Sequence, residues 1–547
     1  MDSWKKAVFL ACLYGFLKEF CPLVPFFTPY LTEQSGVTRD DVFTEIYPVK
    51  TYTLFAAHFC TLLVADLLLY KPVIVFGASA SIAVWYLLGW GCRLSLLQVS
   101  QFASGLCQAS EVAFFAYIFA ISSTANYRKV AGLSRSAILL GQCLSYSLGQ
   151  ITLSLSSNDV RTLVYVSLGS VVLAFVISVV IPGPRFSPYL HTWVVQRELL
   201  APSGLQRSPE NGNPYRFPTP TSIHGNGSSA STCNLISGLD GLYDHRPASA
   251  NQQFAGLDFP SGYMPSSSHM YSDIDTSSLG YAYSDGNSDI SDTSINEERT
   301  SPVAKESRLS NCRQVCSASL IIVWKDLSEA YRNKTIVVWS LWLVAALCVD
   351  FHVRLYSEKL WDSFGVVDEQ SGSYLYSGAA QALAALLGTV LSLVVGFTQV
   401  NWHKYEELIV GVVMVISSAV LVVMSHTDVW SAYTFYVVFL AVFQMLSTVA
   451  MFQIAGQLTC QRFGLVFGLN SFLSMFVEVI FVLVVVNSSN QAFSVKTQFA
   501  VYSGFLGLGG LLFLIRALHS SIHNRYSICC RWRPTHDDPE TLVEEQR

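Results

Sequence analysis

The chain has 547 residues, 51% of them apolar and only 13% charged, where soluble domains carry about 25% charged residues. With a mean hydropathy of +0.40, that excludes an ordinary soluble globular protein and points to a polytopic membrane protein. The net charge of −5 carries little weight, because much of the acid lies in one soluble loop, and no nucleic-acid partner is implied.

The 13 cysteines are scattered, mostly inside apolar segments, so neither a disulfide framework nor a metal site is predicted. About 20 consecutive apolar residues are needed to cross the hydrocarbon layer as a helix. The first such run, from about Ala7 to Tyr30, lacks a small-residue cleavage site, so it reads as a kinked first span and not as a signal peptide. Further runs are centred near Phe59, Val84, Ala109, Ser145 and Val172, and then near Ala346, Ala384, Val415, Val442, Val477 and Leu508. This predicts two groups of six spans, residues 1–182 and 334–518. Between them, residues 183–333 are rich in Ser, Pro, Gly, Asn, Asp and Tyr. Such a segment buries too little apolar surface to offset the entropy of ordering, and is predicted to be a disordered linker. Its last part, Ala318 to Tyr331, has the pattern of a surface helix. Residues 519–547 read as a polar tail.

Basic residues set the orientation. Lys5, Lys6, Lys71, Arg128, Lys129, Arg135, Arg525, Arg531 and Arg533 fall on one side of a twelve-span chain, whereas Asp362, Asp368 and Glu369 fall on the other. Both termini and the linker are therefore expected to be cytoplasmic. Asn487-Ser488-Ser489 then lies outside as a glycosylation acceptor. Two six-helix halves joined by a long cytoplasmic loop are the layout of the major facilitator superfamily fold, an all-α membrane architecture of twelve transmembrane helices. The turn from Ala65 to Pro72, with Asp66 and Lys71, resembles that superfamily's cytoplasmic gate motif.

Two carboxylates, Glu111 and Glu478, stand in mid-span, one in each half. Each costs about 2.5–3.5 kcal/mol at bilayer depth on insertion scales, and such groups face a bundle interior, a water-filled path or a bound cation. Matching acids in the two halves point to a transporter whose cavity accepts positive charge.

Several strings, in order, carry a family resemblance. They include Pro25-Phe26-Phe27-Thr28-Pro29-Tyr30-Leu31, Glu45-Ile46-Tyr47-Pro48-Val49, Tyr127-Arg128-Lys129-Val130-Ala131-Gly132 and Leu465-Val466-Phe467-Gly468-Leu469-Asn470-Ser471-Phe472. With the run from Glu111 to Phe119 they resemble the folate and thiamine (reduced folate) carriers, solute carrier family 19, over all twelve spans and not over the linker. The resemblance implies a vitamin carrier of the plasma membrane, working as a monomer by alternating access, with protons as a candidate coupling ion and no cofactor. Folate carriers place Arg at the position of Glu111 and Lys at that of Glu478, with a further Arg where Leu440 stands. A like-charge contact at about 4 Å costs roughly 4 kcal/mol at an effective dielectric near 20, which disfavours a folate pose here and favours thiamine. The chain departs from thiamine carriers as well. Lys50 stands for their Trp, Val24 for a Glu, Leu355 for an Asn, Gln381 for an acid and Phe114 for a Tyr.

The resulting candidate substrate residues are Glu111 as counter-ion, Phe114 as aromatic wall, Glu478 as second acid, Gln381, Tyr376 and Tyr52 as hydrogen-bonding groups, and Lys50. Glu45, Asp66, Arg135, Asp350 and Arg354 read as gate or structural charges. Glu45 is expected to pair with Lys50, and Asp350 with Arg354 one turn on. Lys18 and Glu19 compensate each other, and acid is expected to exceed base in the central chamber. No GxSxG, HExxH, Walker-type loop or paired CxxC occurs in a credible context, so no enzyme activity is predicted. Two alternatives stay open: a folate or organic-anion carrier using Lys50 and Arg354, and a non-transporting receptor or scaffold.

Overall fold

The computed structural model describes residues 3–35, 37–38, 41–90, 93–155, 160–184, 323–364, 376–400, 402–458, 462–486 and 493–531. The chain divides into two compact units, Met1–Pro220 with Trp324–Arg547, and Thr221–Val323. The second unit lies, but for its last residue, outside the described residues. So do most of the predicted linker and Asn487.

The first unit is helical, with no strand among its described residues. Its long helices are α1 (Ser3–Glu19), α2 (Phe27–Ser35), α3 (Tyr47–Val64), α4 (Lys71–Trp90), α5 (Leu94–Ala109), α6 (Glu111–Ala120), α7 (Tyr127–Leu155) and α8 (Val160–Val180). After the linker come α9 (Lys334–Asp362), α10 (Ser377–Phe397), α11 (Glu406–His426), α12 (Val429–Gln457), α13 (Phe463–Phe481) and α14 (Val495–Arg531). Residues 324–330 are helical and lead into α9, inside the stretch where a surface helix is predicted. The last helix runs on to Arg531, so the start of the predicted polar tail continues span twelve.

Among the described residues 11 helical stretches are long and apolar enough to cross a membrane. The remaining predicted span is α3, whose 18 residues include Pro48, Lys50 and His58 and are correspondingly less apolar. Two spans are broken in a way that matters. Proline at 22 and 25 removes backbone donors and disfavours helix in the preceding residue. Accordingly α1 stops at Glu19 and the chain passes through a 3-10 turn, Val24–Phe26, before α2. The predicted single span around Ala109 is interrupted at Ser110, whose hydroxyl donates to the Cys107 carbonyl at 2.6 Å. Gly77 on α4 makes room for this turn, because a Cβ there would lie 1.8 Å from Ser110 Oγ.

The two halves meet along α7 with α10 and along α3 with α13. At the predicted cytoplasmic end the contact is backbone on backbone. A Cβ on Gly132 would lie 2.7 Å from Gly396 Cα and 2.8 Å from the Ser392 carbonyl. Without a hydrophobic drive between helices in lipid, such close approach is a main source of association. Beside it Asp66 reaches across to the N-terminus of α13, accepting from the N–H of Gly464 at 2.9 Å and of Leu465 at 2.7 Å. Tyr70 Oη also donates to it, at 2.6 Å. A helix N-terminus is a favourable seat for a carboxylate. Burial still holds the Asp66 carboxyl above the ordinary aspartate range, against the hydrogen bonds that pull it down. To place Tyr70 this way, Leu69 and Tyr70 both adopt left-handed backbone, φ 58° and 63°, at about 1–3 kcal/mol each.

Gly132→Val should therefore force the halves apart and cost about 1–3 kcal/mol, the usual penalty of overpacking. Thermal unfolding of the detergent-purified protein checks this. Gly169→Ala is the control, because nothing lies within 4 Å of a Cβ there, and it should be near neutral.

Candidate functional site

Charged side chains from both halves converge between the broken first and fourth spans and α9. Glu111 follows directly on the Ser110 turn, in the first turn of α6. Its partner is Lys18 on α1, with Nζ donating to Oε1 at 2.7 Å. Lys18 is shared, for Glu19 Oε1 lies 3.7 Å from the same nitrogen. Glu19 is held in turn by Gln142 Nε2 on α7 at 2.8 Å. The Glu111 side chain keeps 38% exposure while that of Lys18 keeps 8%, so the acid and not the base is the accessible member of the pair.

Two further cations stand nearby without a carboxylate partner among the described residues. Arg135 lies over the Phe115 ring, 5.0 Å from its centroid, and its Nε makes no hydrogen bond. Lys50 on α3 lies 5.9 Å from the centroid of Phe351 in the other half. Both are within electrostatic reach of Glu111. Arg135 also interacts with Asp350 and Arg354, which pair with each other one turn apart, Nε to the two carboxylate oxygens at 3.0 and 2.9 Å.

The charge balance corrects the sequence expectation. Lys18, Lys50, Arg135 and Arg354 are four cations against three carboxylates, Glu19, Glu111 and Asp350. Lys18 turns inward to Glu111, Glu478 is not in the cleft, and Glu358, buried one turn after Arg354, adds a fourth carboxylate on the Arg354 side, so acid does not outnumber base among these groups. Glu478 is fully enclosed in the C-terminal half, with Oε2 2.9 Å from His352 Nε2. The expected Glu45–Lys50 pair is absent among the described residues. Glu45 lies in a π-helical turn, Val42–Ile46, and Lys50 on α3 beyond it. Glu45 is exposed, and Lys50 points to Phe351.

Phe114 is also placed differently from expectation. It is 4% exposed and packs on Tyr14 at 5.5 Å, so it backs the site, and its neighbour Phe115 carries the cleft cation. Gln381 is partly buried, and no hydrogen bond engages it among the described residues. Tyr52 and Tyr376 are exposed, at 41% and 45%, and Tyr376 leans on Trp430 at 5.1 Å near the start of α10. A separate cavity of about 330 Å³ lies at the opposite, closed end, lined by Tyr127, Arg128, Trp402 and Gln453 among others, with no acidic residue.

Lys18 is the site residue that sequence reasoning missed as Glu111's partner. Its signal was a lysine in mid-span one, which demands a counter-charge, but nothing in the local sequence says which acid supplies it.

Human Thiamine transporter 1 is 28% identical over 519 residues, covering 94% of this chain and 89% of its own length. Folate transporter 1 of Caenorhabditis elegans is 24% identical, covering 99% of each chain. The human Reduced folate transporter is 25% identical, covering 95% of this chain and 73% of its own. Among solved structures, the human organic anion transporter MFSD10 (TETRAN) superposes with a TM-score of 0.51 at 12% identity, covering 94% of this chain and 100% of its own. The proton:xylose symporter XylE, of the major facilitator superfamily, gives 0.53 at 11%, covering 93% and 95%. These two show the fold, which is that of the major facilitator superfamily. Relatives and structural neighbours alike are transporters and not enzymes. The Reduced folate carrier family profile matches residues 2–501, and the chain belongs to that family of membrane vitamin transporters.

Proposed function

We propose that this chain takes up a heteroaromatic vitamin of the thiamine class across the plasma membrane by alternating access, and that its ligand bears both a ring cation and an acidic substituent, as a thiamine phosphate ester does. The observation that carries this reading is the sharing of Lys18 between two carboxylates beside two unpaired cations. When Glu111 turns to a substrate cation, Lys18 still has Glu19, so no buried charge is stranded. Lys50 and Arg135, seated on aromatic rings, are the groups left to meet an anion. Ligand contacts from α6 and α7 on one side and from α9 and α10 on the other, the last through Gln381, couple binding to closure of the halves. Thiamine itself, lacking the anionic arm, uses the Glu111 part of the site alone. Two of the relatives compared are folate carriers by name, and the two cations without a carboxylate partner among the described residues favour a second reading, a bis-anionic folate held by Lys50, Arg135 and Arg354.

Uptake of labelled thiamine, thiamine monophosphate and folate in transporter-null cells separates the readings. Monophosphate uptake exceeding thiamine uptake, with folate near background, is the expected order. Folate moving best would establish the second reading in its place.

Glu111→Gln should raise KM for both thiamine forms about tenfold or more, since a hydrogen bond to a charged group is worth about 1.5–3 kcal/mol. Arg135→Gln should weaken the phosphate ester by a similar factor and leave thiamine within about twofold, because the removed cation meets only the anionic arm. Unchanged kinetics for the ester in both variants would remove Glu111 and Arg135 from the site.

A further inference from the structure

Behind the cleft, the C-terminal half encloses three side chains that the transport reading leaves unused. Cys348 and His352 stand one turn apart on α9, and Glu478 faces them from α13. All three are fully buried. One ligand-type atom from each lies within 4.8 Å of the others. Oε2 of Glu478 is 2.9 Å from His352 Nε2 and 3.7 Å from Cys348 Sγ. We propose that Cys348, His352 and Glu478 form a zinc(II) site that ties α9 to α13.

The direction of approach separates this from a simple hydrogen bond. At 2.9 Å the imidazole and carboxylate are close enough to share a proton. Yet neither ring nitrogen of His352 has a hydrogen-bond partner, so at Nε2 the contact with Glu478 is short without the direction of a hydrogen bond. A lone pair that passes beside a neighbouring oxygen is the arrangement of two ligands converging on a third atom. In a zinc tetrahedron with ordinary Zn–N, Zn–O and Zn–S lengths, the N–O edge is about 3.3 Å and the S–O edge about 3.5 Å. Both contacts lie within about 0.4 Å of those edges, and all three ligand atoms fall within 4.8 Å of one another.

Charge is consistent with the site. A thiolate, a carboxylate and a neutral imidazole sum to −2 and a divalent ion brings them to zero, the same sum that a neutral thiol beside a His352–Glu478 ion pair has without metal. In a membrane interior that matters, since a buried charge persists only when compensated. One thiolate with one imidazole and one carboxylate is a borderline donor set, suited to zinc more than to copper(I), which selects sulfur, or to magnesium, which selects oxygen. Orphaned groups surround the cluster. Glu478 Oε1, Ser474 Oγ one turn earlier on the same face of α13, and Tyr502 Oη are all buried without a hydrogen bond. Ser474 supplies the fourth oxygen or holds the water that does. The Tyr502 ring, from α14, stacks on His352 at 4.4 Å and 16°, fixing the imidazole plane. Because the three ligands have no exposure, the ion is taken up while this half assembles.

The test uses full-length protein purified in detergent without chelator, and reads metal and not transport. Wild type should carry about one zinc per chain. After exchange with cobalt(II) it should show a thiolate-to-cobalt charge-transfer band with the d–d absorption of a tetrahedral site. Cys348→Ser should lose the charge-transfer band, and Glu478→Gln should lower bound zinc at least tenfold, while Cys60→Ser, an exposed thiol outside the cluster, keeps both. Stripping wild type with a strong chelator should lower its thermal midpoint by several degrees, with zinc restoring it, which supports the site even where a variant fails to fold. Monodisperse wild type with neither zinc nor a cobalt–thiolate band would overturn the proposal. So would a cobalt band that persists in Cys348→Ser.

Discussion

A lone charge at bilayer depth costs about 2.5–3.5 kcal/mol on insertion scales, and the cleft is arranged around that cost. Lys18 is its pivot. Buried and placed between Glu19 and Glu111, it lets one carboxylate stay paired while the other is released. Asp350 and Arg354 settle the same problem locally, by an i,i+4 pair. Lys50 and Arg135 settle it with aromatic rings, a weaker compensation of about 0.5–2 kcal/mol, which leaves their charge open to a ligand. The proposed function rests on that inequality: the well-paired charges are read as holding the fold and the poorly paired ones as meeting the ligand.

The same scarcity of driving forces explains how the halves are held. In lipid the helices gain little from burying apolar surface against one another, so close backbone approach and buried polar contacts take over. Gly132 against Gly396, and Asp66 on the amides of Gly464 and Leu465, close one end of the molecule. These contacts lie on the opposite side of the charged cleft from the break near Pro22. The first helix stops near Pro22 and restarts at Phe27, which frees backbone where a polar path needs it, whereas at Ser110 both backbone groups stay hydrogen-bonded.

Much of the fold was legible because membrane helices announce themselves by length and apolarity. Span centres near Val84, Ser145 and Val442 fall inside α4, α7 and α12. What escaped was local. Lys50 and His58 make α3 the least apolar span, and Ser110 breaks a run that composition presents as continuous. Site legibility was poorer. Glu111 stood out as an acid in an apolar run, but its partner lies 93 residues away on another helix. Phe114 and Phe115 differ by 100° of helical rotation, and only packing decides which one carries Arg135. Cys348 and His352 share a face by spacing alone, yet the third member of that cluster lies 130 residues from Cys348.

By itself the sequence determined the membrane class, the two sets of spans, the family and the presence of costly mid-span charges, because each follows from composition and order along one chain. Only the tertiary structure decided which charges neutralise which. Pairing depends on rotation and depth of separate helices, and a shift of one residue turns a side chain by 100°. That is why Glu478, expected as a second acid of the central cleft, stands instead against His352 in the interior of its own half.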